Sequence, residues 1–239
     1  MTLIGRAGYF GKIPFEIRQK IYTYVLGNRL FGIAHFSNRR AVHGFIYRYS
    51  WKNNPLFPRK VSNAGNPPSS SEFSLLKTCR FIYIESVQVL YATNRFSFHN
   101  ALLFTYSSFT RAVLPQRLAC ITLVDLSVLS GSFSLDKWTR LWNHAAIQLT
   151  GLRNVEVWLF EEDVVPRMDF SLDAKWVKPM LALKGLKAFY LNVQAMTGNS
   201  QFRWYSYYEQ NVPISDDQNL EYFNKLEKLR NDLRERICA

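Results

Sequence analysis

One pattern constrains this chain more than any other. The form L-x-x-φ-x-φ, with φ an apolar residue, occurs at Leu118, Ile121 and Leu123, at Leu152, Val155 and Val157, and at Leu186, Phe189 and Leu191, with a constant offset of 34 residues. Each copy follows a segment of helical periodicity, of which LDKWTRLWNHAAIQL is the clearest. Helix and strand alternating at a fixed period predict stacked helix–strand units that share a parallel sheet. The 239 residues, 48% of them hydrophobic, suffice for a sizeable core.

The fold class expected is therefore α/β (or α+β). The units are similar to irregular leucine-rich repeats, although the asparagine ladder of true leucine-rich repeats is missing. An ordinary sheet packed with helices satisfies the same pattern. Upstream, KIPFEIRQKIYTYVLG (residues 12–27) reads as a helix with Pro14 and Glu16 in its first turn and Gly27 suited to the left-handed position past its end. Ile17, Ile21 and Val25 recur at i+4 as its apolar stripe. FGIAHF and HGFIYRYSW alternate as two strands joined by SNRRAV, a basic β-hairpin insert. SNAGNPPSSSE (residues 62–72) is a loop-forming cluster.

LLKTCRFIYIESVQVLYATNRFSF, Leu75 to Phe98, reads as a helix running into a strand, with Leu76, Cys79, Tyr83, Val87 and Leu90 on one face. That face is expected to meet Ile17, Ile21 and Val25 or the sheet. Phe96 and Phe98 are expected to enter the core. Residues 216–237 predict a closing C-terminal helix with Asp216 or Asp217 as N-cap and an apolar stripe of Leu226, Leu229, Leu233 and Ile237. Two regions follow: residues 1–100, with the first helix, the hairpin and the helix–strand entry, and residues 101–239, a sheet-and-helix recognition domain packed with it as one unit.

Charge is uneven. Residues 1–100 hold 14 Lys/Arg against 3 Asp/Glu, whereas residues 101–239 hold 16 against 15. The basic first half favours an anionic partner. Arg39, Arg40, Arg48, Lys52, Arg59 and Lys60 are its candidate anion or nucleic-acid contacts, and the basic aromatic run YRYSWK could stack bases. The competing reading is the wet face of a hairpin. The acids of FEEDVV suit a solvated loop, and the aromatics of WYSYY suit either a recognition surface or core packing.

Cys79, Cys120 and Cys238 form no CxxC pair, and the four histidines lack metal-ligand spacing. Cys79 and Cys120, among apolar neighbours, are expected as buried free thiols, and no metal and no cofactor are expected. None of the familiar phosphate-loop, dinucleotide, metalloprotease or nucleophile-elbow patterns occurs, so chemistry of its own is not expected. No stretch has the length of a membrane span or the form of a signal peptide, which places the expected setting inside the cell, in cytoplasm or nucleus.

Two segments carry a resemblance. IPFEIRQKIYTYVL resembles the opening of an F-box, and the Leu75–Phe98 segment looks like one found after such a start in a largely uncharacterised group of filamentous-fungal proteins. The resemblance covers about forty residues and implies a substrate receptor of a cullin-type ubiquitin ligase. Its adaptor-binding residues, for a Skp1-like partner, would be Ile13, Pro14, Ile17, Ile21 and Leu26. Burial of that helix in its own core is the competing reading. A standard F-box continues into further short helices, where this chain has a basic hairpin. A nucleic-acid-binding module and a self-associating structural protein are the alternatives. No small-molecule substrate is evident.

Overall fold

The computed structural model describes residues 3–33, 44–47, 73–99, 102–129, 134–161, 169–195 and 217–239. Within them the chain is mixed α/β, with seven α-helices and a sheet of six strands in the order β2-β1-β3-β4-β5-β6. A broken 3-10 segment (Leu3–Lys12) leads into α1 (Phe15–Leu26), then β1 (Leu30–Ile33) and β2 (Gly44–Tyr47). Next come α2 (Ser74–Thr78), α3 (Arg80–Ala92), β3 (Arg95–His99), α4 (Leu102–Ala112) and α5 (Pro115–Leu118). The rest is β4 (Leu123–Leu129), α6 (Leu135–Gln148), β5 (Asn154–Glu161), β6 (Ala188–Ala195) and α7 (Asp217–Cys238).

Five strands, β1, β3, β4, β5 and β6, run parallel, and β2 is antiparallel at the edge. Parallel strands laid down in chain order step every crossover in one direction, which gathers the connecting helices on one face. That face carries two continuous apolar rows. Phe31, Phe96, Val124, Val155 and Phe189 form one, and Ile33, Phe98, Leu126, Val157 and Leu191 the next, all buried. Tyr106 and Phe109 of α4, Trp138, Leu141 and Trp142 of α6, and Leu226, Leu229, Leu233 and Ile237 of α7 complete the core. Between β5 and β6 the chain is pinned by two indoles. Trp138 Nε1 donates to the Trp176 carbonyl and Trp176 Nε1 to the Asp169 carbonyl, each at 2.7 Å.

The sheet corrects the expected register. β5 and β6 pair at the 34-residue offset, Val155 beside Phe189, but β4 and β5 pair at 31, Val155 beside Val124. Leu118 ends α5, and Ile121 takes the buried position before its strand that Leu152 and Leu186 take before theirs. An odd slip exchanges the two faces of a strand. Leu123 thus turns away from the helices, while Val124 and Leu126 point in.

The expected hairpin is also recast. β1 pairs antiparallel with β2, yet it lies inside the main sheet between β2 and β3 and is no insert. SNRRAV, residues 48–72, Asp216 and WYSYY lie outside the described residues. Strands from residues 1–100 and 101–239 share this one sheet. The helix expected from Leu75 is two, because Cys79 is extended (φ −159°, ψ 161°).

Asn94, wholly buried, joins the first helices to the sheet. Its Nδ2 donates to the carbonyls of Leu26 and Leu90, each at 2.7 Å, which are the ends of α1 and α3. Its Oδ1 accepts from the Arg29 N–H at 2.7 Å. One amide therefore satisfies orphan groups of two helix ends and one strand entry. Gly27 serves close approach and not the left-handed turn expected of it: its φ is −95°, and a Cβ there would lie 2.5 Å from Thr93 Oγ1 and 2.7 Å from the Thr23 carbonyl. Asn28 takes the positive φ instead, at 55°.

The β6 edge is closed by α7. Arg230 Nε donates to the Leu191 carbonyl at 2.6 Å and Arg234 Nε to the Phe189 carbonyl at 3.2 Å.

Asn94→Leu should destabilise the chain by about 3 kcal/mol, because it leaves several buried backbone groups unpaired. Gly27→Ala should destabilise it as well. Urea unfolding of each variant checks this, and an Asn94→Leu midpoint equal to wild type would refute the role assigned to the amide.

Candidate functional site

α1 is anchored through charge. Arg18 and Glu85 meet as a fork, with Nε to Oε2 at 2.8 Å and Nη2 to Oε1 at 2.6 Å, and the Tyr22 hydroxyl donates to Oε2 at 2.8 Å. Arg18 Nη1 also donates to the Ile13 carbonyl. The guanidinium lies over the Phe81 ring at 5.1 Å and the Phe15 ring at 5.7 Å. Such a fork fixes geometry as well as charge. Hydrogen bonding from Arg18 holds the Glu85 carboxyl below its ordinary range, and burial together with Glu85 pushes the Tyr22 phenol well up.

The buried stripe of α1 is consequently Arg18, Tyr22 and Leu26, one position round from the Ile17, Ile21 and Val25 expected. The cause is the ion pair, which claims the inner position. On α3 the buried residues are Phe81, Ile82, Ser86, Val87 and Val89, and Leu76, Cys79, Tyr83 and Leu90 are only half-buried. Phe96 and Phe98 do enter the core.

Pro14, Ile17, Ile21 and Tyr24 recur at spacings of three and four that share a flank of α1 adjoining the buried stripe. Pro14 is exposed, Ile17 is 45% and Tyr24 90% exposed, and Ile21 is half-buried. Of the residues expected to contact an adaptor, Pro14, Ile17 and Ile21 come together on this side and Ile13 is half-buried at its start. Leu26 is fully buried, so it packs the helix pair and leaves the contact set. Arg39, Arg40, Arg48, Lys52, Arg59 and Lys60 lie outside the described residues.

A second constellation escaped the sequence reading. On the sheet face turned from the helices, Arg95 forms ion pairs with Asp125 and Glu156, and Asn192 Nδ2 donates to Glu156 Oε1 at 3.0 Å. Asp125 and Glu156 are buried and stand side by side in the register. Burial outweighs Arg95 and pushes the Asp125 carboxyl above its ordinary range. A lone charged residue within each apolar run was the available signal, in NRFSF, LVDLSVL and NVEVWLF. An offset of 34 sets Asp125 beside Leu159, and only the true offset of 31 sets it beside Glu156.

Among the described residues no group of three or more His, Cys, Asp and Glu side chains could hold a metal ion, and no helix is long and apolar enough to cross a membrane.

With this geometry in view, the family described as Domain of unknown function (DUF7730) matches residues 5–193. The chain belongs to the DUF7730 family. The DUF7730 match opens before α1 and closes within β6, so it contains both constellations, and α7 lies beyond it. No curated protein and no solved structure matches the chain.

The two carboxylates should give pH effects of opposite sign. The folded pKa of Glu85 is depressed below 4.5, so its contribution is complete above that value and is lost as pH falls through the folded one. The folded pKa of Asp125 is raised above 3.8, so its contribution is complete below that value and is lost as pH rises through the folded one. Glu85→Gln should flatten the acid limb of a plot of urea midpoint against pH, and Asp125→Asn should remove the decline on the rising limb. Arg95→Met, which strands buried carboxylates, should cost about 3–5 kcal/mol at neutral pH. An unchanged acid limb in Glu85→Gln would refute the first assignment.

Proposed function

We propose that this chain is a protein-recognition adaptor without chemistry of its own: an F-box-like substrate receptor that works inside the cell. α1 docks on a Skp1-like adaptor of a cullin-type ubiquitin ligase, and the α/β body, an irregular relative of leucine-rich-repeat sheets, presents an unknown protein target. In this reading it is kin to the fungal F-box-like proteins that its two segments resemble.

The observation that carries the reading is the outer side of α1. A helix fixed from within by the Arg18–Glu85 fork still offers Pro14, Ile17 and Tyr24 outward, with Ile21 half-buried beside them. Exposed apolar side chains in one stripe mark a surface for a partner. Holding target and transferring enzyme together raises their effective concentration, which is the whole of the catalytic contribution such an adaptor makes.

Wild-type chain should co-purify with a Skp1-like adaptor and bind it at micromolar concentration. Ile17→Asp, at a solvent-facing position, should stay folded and weaken binding by roughly tenfold or more. Absence of binding by the wild-type chain sinks the reading, as does full affinity in Ile17→Asp.

A further inference from the structure

The starts of β5 and β6 and the end of α7 bring four cations together. Arg153 immediately precedes β5 and Lys187 immediately precedes β6, and the N–H groups of Lys187 and Ala188 both donate to the Arg153 carbonyl, at 2.7 and 3.2 Å. Lys184 Nζ donates to the Arg236 carbonyl at 3.0 Å, and the Leu186 N–H donates to the Ile237 carbonyl at 3.2 Å. These contacts place Arg153, Lys184, Lys187 and Arg236 along one short rim at the starts of two neighbouring strands and the end of α7.

All four side chains are exposed, and none belongs to an ion pair among the described residues. On α7, Glu227 is occupied by Arg230. The remaining acids of its last turns, Asp232 and Glu235, precede Arg236 on the helix and form no ion pair with the four cations among the described residues. Net charge over residues 101–239 conceals this rim, because acids elsewhere in that stretch cancel it.

We propose that the Arg153–Lys184–Lys187–Arg236 rim docks an acidic segment of a partner protein. Arginine forks match carboxylates in two-point geometry and lysines supply point charges, so a short run of Asp and Glu fits the set. Two features favour a peptide over nucleic acid. Asp232 and Glu235 share the last turns of α7 with Arg236, so a continuous phosphate backbone running along that helix would meet like charge. Among the described residues the exposed large aromatic rings, Tyr9, Phe15 and Tyr24, belong to the first helical segments and not to the rim, where bases would need them for stacking. This inference goes beyond the docking of α1 and does not depend on it.

Fluorescence anisotropy of a labelled short poly-glutamate peptide against the full chain tests it. Binding should appear at low salt and weaken as salt rises. Lys184→Glu with Lys187→Glu should reduce affinity roughly tenfold. Lys137→Glu with Arg140→Glu, the same charge change on exposed positions of α6, should reduce it by less than about twofold. Thermal melts confirm that both double variants fold. Equal losses in the two variants would mean that net charge alone attracts the peptide, and would overturn the site. So would no binding at low salt, or an oligonucleotide of equal charge that outbinds the peptide.

Discussion

A single side-chain amide sets the geometry from which the rest of the molecule follows. Asn94 binds the closing carbonyls of α1 and α3 and the N–H that precedes β1. It thereby decides where two helices stop and where two adjacent strands begin. β1 and β3 then start level, Leu30 beside Arg95, and the two apolar rows of the sheet come into line. Thr93 supports the corner from its own side: its hydroxyl donates to the Val89 carbonyl at 2.7 Å, and its Oγ1 crowds the position where only a glycine fits at residue 27. Each part of LYATNRFSF therefore has a physical duty. The tyrosine stacks on Phe96, the threonine and asparagine close the corner, and the phenylalanines alternate into the core.

Periodicity made the architecture legible and misled on its finest detail. Apolar residues three apart before β4, Leu118 and Ile121, offered two alignments with Leu152, and both bury an aliphatic side chain. Sequence spacing preferred the one that made the repeat exact. Packing chose the other, because α5 uses Leu118 before the strand begins. That slip exchanged the faces of β4, so it set Leu123 in the core in place of Val124 and Leu126 and hid the polar contacts as well. Hydrophobic positions tolerate an alternative partner, but charged ones do not, so the Arg95–Asp125–Glu156 contacts were invisible until the strands were paired correctly.

The first helix teaches a related lesson about polarity. Its isoleucines at i+4 read as the inner stripe, since burial of apolar surface ordinarily decides which way a helix turns. Here a guanidinium, a phenol and a leucine go inside, and the difference comes from a residue 67 positions away: Glu85 makes Arg18 an internal residue. No local pattern within α1 could announce a partner that distant. What could be read locally, the helix and its limits, agrees with the structure, and the rotation of the helix about its axis is the quantity that needed the tertiary contact.

The arginines of α7 on the β6 edge bear on how large this sheet can become. A parallel sheet built in chain order is open-ended by nature: nothing in its own hydrogen bonding says which strand is last, and an unpaired edge templates further strands from the same or another molecule. Two guanidinium groups, one helical turn apart, occupy edge carbonyls two residues apart and convert that open ladder into a finished one. The helix is thus a terminator written in side chains, placed after the stretch that the family match spans. A chain cut before residue 217 would lose that stopping rule together with four side chains of its core, so the same helix that ends the sheet also seals it.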